Sequence, residues 1–278
     1  MATQAKVWVS TIALTFLCAA SALAQSSKPQ HAHISLLASP SDSSGTQWIG
    51  LRFQLDPGWH IYWTNPGDSG EPPKVIWHLP PGFQAGDLQF PAPHRIADHG
   101  MTDYGYEGEA VLLSKLTIPA GATSNHPEIA ADVRYLVCRE VCIPAKDRVT
   151  LKLADQNAGT ASLLQAAQAR LPGDLPHGVH ARATAGAEAF LLSIGPSSRL
   201  GHINDFIPSE EQVIDNSSKP QITKSGVTTQ IRLKKSEQLD QAVPEVRGLL
   251  VTNDKAYNVV VPVTTTKGSQ KTSARKHS

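Results

Sequence analysis

Two thiols, Cys138 and Cys142, in the run Val137-Cys138-Arg139-Glu140-Val141-Cys142-Ile143-Pro144, carry the most reactive chemistry in this sequence. Such a pair can bond to itself, ligate a metal or attack another protein's disulfide. As a staple it would do little. In the chain-entropy model so small a loop stabilises by only about 2 kcal/mol, against ~3 kcal/mol for fifteen residues. A straight strand would hold the two Cα atoms about 13 Å apart, beyond the ~7 Å limit for a bridge. A bond therefore requires the chain to reverse within Arg139-Glu140-Val141, by a tight hairpin or a single helical turn. Pro144 opposes a longer helix. Arg139 favours a thiolate beside it and Glu140 opposes one, so these two charges are the candidate tuners. Residue physics leaves three readings open: a redox-active pair, an inert bridge, or metal ligation. A closed zinc site needs further ligands, and His31, His33, His60, His78, His94, His99 and His126 are available. His31-Ala32-His33 is a weak copper or zinc pair, but no spacing ties a histidine to the cysteines.

The amino terminus sets the compartment in which those thiols work. Lys6 precedes an apolar stretch from Val7 to Ala20, followed by Ala22-Leu23-Ala24 and the polar Gln25-Ser26-Ser27. That order predicts a secretory signal peptide over residues 1–24, cleaved after Ala24. Its apolar core is shorter than the ~20 residues of a membrane span, so the mature chain is expected outside the cytoplasm and not spanning. Cys18 would leave with the signal; Phe16 and Leu17 are bulky for a lipidation site there. In an exported chain an even pair of cysteines is expected to oxidise. With 25 Lys+Arg against 24 Asp+Glu, the net charge of +1 supplies no footprint for nucleic acid, and that class of partner drops out.

The elements that must position the pair read as strands. Ile49, Leu51, Phe53 and Leu55 alternate with polar residues or glycine, and Asp56-Pro57-Gly58 turns into the aromatic strand His60-Ile61-Tyr62-Trp63. Val75–Trp77, Ala110–Ile118, the alternating Ile129 to Val137, and Val149 to Leu153 complete about seven strands. Residues 28–153 are thus expected to form an immunoglobulin-like β-sandwich. Residues 154–178 read as a linker with a short helix, capped by Thr160 and stopped by Pro172-Gly173. Residues 179–264 alternate again and predict a second, smaller β-sandwich domain. Residues 265–278 carry almost nothing apolar and predict a disordered basic tail. Trp48, Trp59, Trp63 and Trp77 and both remaining cysteines fall in the first domain, which is where a site is expected. Asn216-Ser217-Ser218 fits a glycosylation acceptor pattern, a match common by chance.

Three motifs occur in a familiar order: Pro57-Gly58-Trp59-His60-Ile61-Tyr62-Trp63-Thr64-Asn65-Pro66-Gly67-Asp68-Ser69-Gly70, then Tyr104-Gly105-Tyr106-Glu107-Gly108-Glu109, then Val137-Cys138 to Cys142-Ile143-Pro144. Residues 31–153 resemble the periplasmic amino-terminal domain of DsbD-type thiol:disulfide interchange proteins, most closely its ScsB-like branch, whose three-residue cysteine spacing is the one found here. The second domain resembles that branch's extra β-domain more loosely. The resemblance implies an immunoglobulin-like sandwich whose cysteine pair relays electrons from a membrane thiol-disulfide donor to periplasmic disulfide-containing proteins, without a cofactor. It implies that Cys142 forms the mixed disulfide and Cys138 resolves it. It also implies a cap loop at Asp103-Tyr104-Gly105-Tyr106, with Tyr104 or Tyr106 covering the sulfurs. The membrane carrier and thioredoxin-like domain of such proteins do not follow in this sequence, so the expectation is a stand-alone copy that needs a separate membrane donor. Two alternatives stand beside it: a non-catalytic β-sandwich interaction protein with a structural disulfide, and a copper- or metal-handling protein, in line with the branch's link to copper tolerance and cytochrome c biogenesis.

Overall fold

The alternation seen in the sequence becomes two facing sheets because each strand presents one apolar face to be buried. The computed structural model describes residues 31–42, 45–98, 100–119, 122, 127–154 and 158–265. The expected signal peptide, His99, His126 and all but the first residue of the basic tail lie outside the described residues. In chain order the first ten strands are β1 (Ala32–Ala38), β2 (Thr46–Leu55), β3 (His60–Gly67), β4 (Lys74–His78), β5 (Gln84–Ala85), β6 (His94–Asp98), β7 (Met101–Glu107), β8 (Glu109–Thr117), β9 (Glu128–Cys138) and β10 (Cys142–Lys152). One sheet runs β1-β2-β8-β5; the other runs β10-β9-β3-β7-β6, with β4 also paired to β9. Ile49, Leu51 and Phe53 from the first sheet meet Ile61, Ile129, Val133 and Tyr135 from the second in one buried core. Phe53 and Tyr135 touch edge to face across it, their ring centroids 5.5 Å apart. This is the expected immunoglobulin-like sandwich, built from ten strands where the sequence predicts about seven.

The helix α1 (Ala158–Ala169) is more than a linker. Leu164 and Ala167 are buried with Leu37, Val111 and Leu113 on the outer face of the four-stranded sheet. Gly50 leaves room for that contact: a Cβ there would stand 2.8 Å from a Leu164 methyl.

The second domain is a single eight-stranded sheet wrapped around its own core, in the order β14-β17-β18-β12-β13-β16-β15 with β11 against β18. Its strands are β11 (Gly173–Asp174), β12 (His180–Ala185), β13 (Ala189–Gly195), β14 (Ile203–Pro208), β15 (Gln221–Ser225), β16 (Thr228–Lys234), β17 (Glu245–Thr252) and β18 (Ala256–Thr265). The described residues from His31 to Thr265 form one compact unit. Ile207 and Leu249 of the second domain are buried in the core cluster of the first. Arg95 on β6 anchors the junction, donating to Asp205 at 2.7 Å, to the Asn216 carbonyl at 2.8 Å and to the Phe206 carbonyl at 3.1 Å.

Gly105 marks the tightest backbone approach in the six-stranded sheet, since a Cβ there would lie 2.1 Å from the Ile61 carbonyl oxygen. Gly105→Ala is therefore expected to destabilise the protein by about 2 kcal/mol through forced backbone displacement. Urea unfolding checks this, and an unchanged midpoint would contradict the close packing.

Candidate functional site

Strand β9 carries Val133, Tyr135 and Val137 into the core, so the period of two sends Arg134, Leu136 and Cys138 to the opposite, outer face of the sheet. At its end the chain reverses through Arg139-Glu140-Val141, closed by the Arg139 amide donating to the Val141 carbonyl at 3.2 Å. Cys142 opens β10 directly opposite Cys138. Their Cα atoms are 4.2 Å apart and their sulfurs are bonded. Of the two geometries that would permit a bridge, the chain takes the hairpin. The two sulfurs differ in access: Cys138 is 1% exposed, whereas Cys142 lies open beside Val141, which is 61% exposed at the hairpin tip. A partner's sulfur arriving from solvent meets Cys142.

Behind the bond lies a buried polar chain. The Tyr62 hydroxyl is 3.5 Å from the Cys142 sulfur and 3.3 Å from the Ser69 hydroxyl. Ser69 is held by Asp103, whose carboxylate accepts from the Ser69 hydroxyl at 2.9 Å and from its amide at 3.0 Å. Burial pushes the Tyr62 phenol up, the Ser69 hydrogen bond works against that and Asp103 adds to it. Tyr62 therefore stays a neutral O–H donor throughout the physiological range. Because the Ser69 hydrogen points at Asp103, the Ser69 oxygen is free to accept from Tyr62. A thiolate formed at Cys142 would compete for that same hydrogen, with the stronger acceptor favoured. His60 pairs with Cys138 across β3 and β9. Its Nε2 is buried without a hydrogen-bond partner and sits 3.7 Å from Asp103, just beyond bonding distance.

The expected cap takes a different form. Asp103-Tyr104-Gly105-Tyr106 is not a loop but the centre of strand β7. Alternation separates its members. Gly105 pairs with Tyr62, and Asp103 reaches Ser69, on the face that holds the disulfide. Tyr104 and Tyr106 belong to the sandwich core, where the Tyr104 hydroxyl donates to Asn216 and the Tyr106 hydroxyl to the Pro91 carbonyl. The residue against the sulfur is Tyr62, and what covers its ring is the turn at Gly70. There φ is +83°, and a Cβ would stand 2.1 Å from the ring.

That turn is tethered to the second domain, which sequence reasoning left out of the site. The Asn65 side chain donates to the Pro208 carbonyl at 2.9 Å, and Asn216 donates to Asp68 at 2.9 Å. Asn216 is 8% exposed, so its side chain is committed to this junction and is not an open glycosylation acceptor. Asn216, Ser69 and Tyr62 carried no spacing signal; only the alternation within the aromatic strand could have placed Tyr62 on the cysteine face.

The remaining candidates are spread around the rim. Arg139 lies over the Trp59 ring, 5.4 Å from its centroid, and pairs loosely with Glu140 at 3.8 Å. His31 stacks on the same Trp59 ring, with centroids 3.8 Å apart, and bonds Asp56. His33 is exposed on β1. Among the described residues no three His, Cys, Asp or Glu side chains are grouped to hold a metal, and no helix is long and apolar enough to cross a membrane.

The site is a half-exposed disulfide at one end of a sandwich, with a tyrosine against the outer sulfur. Residues 28–154 match the model of the amino-terminal domain of the thiol:disulfide interchange protein DsbD, and this segment is a DsbD-type amino-terminal domain. Its family and its bonded pair together support thiol:disulfide interchange as its general chemistry. Among solved structures, the chain is similar to the N-terminal periplasmic domain of ScsB from Proteus mirabilis. That match has 19% identity and a TM-score of 0.60 and covers 83% of this chain and 92% of the other, so the fold is shared across both β-domains. The Neisseria meningitidis DsbD n-terminal domain in the reduced form matches at 16% identity over 43% of this chain and 83% of that one, with a TM-score of 0.29. No curated protein matches the chain.

If the Tyr62 hydroxyl stabilises the outer sulfur as a thiolate, its removal is measurable. In a Cys138→Ser background, Tyr62→Phe is expected to slow iodoacetamide alkylation of Cys142 at pH 7 by about fivefold, equivalent to ~1 kcal/mol for one hydrogen bond. An unchanged rate would show that the hydroxyl does not act on the sulfur.

Proposed function

We propose that this protein is a periplasmic thiol:disulfide interchange protein in which Cys142 is the attacking and receiving sulfur and Cys138 the resolving one. The observation that carries the reading is the asymmetry of access, one sulfur open and its partner 1% exposed. In the reduced protein the Cys142 thiolate attacks one sulfur of a partner disulfide. That S–S bond breaks, the released partner thiolate takes a proton, and a Cys142–partner disulfide forms. Cys138 then loses its proton and attacks the Cys142 sulfur. The intramolecular bond closes and the partner leaves with two thiols, having gained two electrons and two protons. Recharging runs the same steps backward through Cys142, with a membrane dithiol as reductant. Cys138 resolves without moving far, since the cross-strand pairing already holds the Cα atoms 4.2 Å apart.

The polar chain serves the same cycle. Tyr62 donates to Ser69 when the sulfurs are bonded and to Cys142 when that sulfur carries charge, while Asp103 holds Ser69 in place. The periplasmic setting draws support from the signal-like amino terminus and from the periplasmic origin of the Proteus mirabilis domain. No organic cofactor is required.

Trapping tests the assignment. Cys138→Ser is expected to accumulate covalent adducts through Cys142 when mixed with disulfide-bearing periplasmic proteins, seen as reductant-sensitive bands on a non-reducing gel. Cys142→Ser, with its remaining sulfur enclosed, is expected to form far fewer. If neither variant captures a partner, the interchange reading fails.

A further inference from the structure

The outer face that carries the disulfide continues away from it in rows set by strand register. On β10 the side chains of Cys142, Pro144, Lys146 and Arg148 share this face, and they stand opposite Cys138, Leu136, Arg134 and Asp132 on β9. Strand β4 adds a third column, with Lys74 opposite Arg134 and Ile76 opposite Asp132. The first row beyond the sulfurs is therefore apolar, Pro144 with Leu136. The second row is three cations in a line, Lys74, Arg134 and Lys146. The third row is neutralised, because Asp132 bonds both Arg148 at 3.0 Å and His78 at 2.6 Å.

The contrast between the second and third rows is informative. Like charges directly opposite one another on paired strands destabilise a sheet, and here two such pairs share Arg134. Lys74 is matched by Glu71 at 3.1 Å, but among the described residues neither Arg134 nor Lys146 has an ion-pair partner. An edge strand gains protection from a single lysine, but that does not account for a cation on the inner strand β9. The same residues line an open cleft of about 580 Å³ between the Glu71-Pro72 segment and the Pro144–Lys146 stretch, floored by Leu136. Its mouth begins two residues from the exposed sulfur.

We propose that this cleft is the docking groove for an acidic, extended segment of the redox partner. The apolar Pro144/Leu136 step receives the residue nearest the partner's cysteine, and the Lys74–Arg134–Lys146 row receives carboxylates further along. At ~3.3 Å per residue the cation row lies about 13 Å from Cys142, which sets the carboxylates three to four positions from the partner's cysteine. The inference rests on the interchange reading for the identity of its occupant. The charge row itself is independent of it.

The test uses fluorescein-labelled nonapeptides in which serine replaces the partner cysteine, so that no sulfur chemistry enters. One peptide carries aspartates three and four positions from the serine, and the control carries lysines there. In fluorescence anisotropy with the oxidised wild-type protein, the acidic peptide is expected to bind at least about tenfold more tightly at 50 mM salt. That ratio should approach one at 0.5 M salt. The double variant R134E/K146E is expected to invert the preference, and Lys146→Glu alone is expected to melt no lower than wild type, because it replaces a like-charge cross-strand pair by an opposite one. Equal binding of the two peptides at low salt would overturn the groove, as would a Lys146→Glu protein that melts lower. Neither result depends on whether Cys142 exchanges; failure of exchange alone, seen by trapping, would remove the redox role and leave the peptide preference intact.

Discussion

The cross-strand pairing of Cys138 with Cys142 is the constraint on which the site depends. Four positions of sequence would span far too much of a straight strand for a bond, so the two residues meet only because β9 and β10 form a hairpin in this register. Register also fixes which way each sulfur faces. A slip of one residue would send Cys138 into the core and bring Val137 outward, destroying both the packing and the pair. The long β9–β10 ladder, eleven residues on each strand, makes such a slip costly. The sandwich thus holds two sulfurs within bonding reach while exposing one of them.

Around that bond the chain builds from the inside outward. Tyr62 comes from the strand beside β9, Asp103 from the next strand, and Ser69 from the turn that folds back over both. The second domain fixes the turn rather than supplying chemistry. Asn65 and Asn216 tie the segment at Asp68 to β14 and its following loop, and Arg95 ties β6 to the same region. Such a tether limits how far the turn at Gly70 can lift from the Tyr62 ring. Loops near exposed disulfides would otherwise draw on their own few contacts for order.

Much of this was legible from residue type and spacing. The alternation Ile129 to Val137, the turn at Asp56-Pro57-Gly58 and the breaks at proline and glycine translate directly into strands because burial of one face decides them. The cysteine pair stood out because the short span left few geometries. What sequence could not supply was long-range contact. The resemblance implies a cap loop at residues 103–106, yet Gly105 is there to let the backbone approach Ile61, and the strand continues through it. The same resemblance puts Tyr104 or Tyr106 over the sulfurs, and alternation sends both to the core. The short helix read as a connector because nothing local reveals that Leu164 meets Gly50, more than a hundred positions earlier. The junction through Asn216 was invisible for the same reason, as was the cation row, whose three members come from three separate strands.

A bond meant to open and close and a bond meant only to hold differ most directly in their reduction potential. Equilibrating the purified protein against glutathione redox buffers and quantifying the Cys138–Cys142 dithiol measures it. The account predicts a value between about −180 and −270 mV, the range of proteins that exchange disulfides; a value below about −300 mV would mark a structural bridge and contradict it.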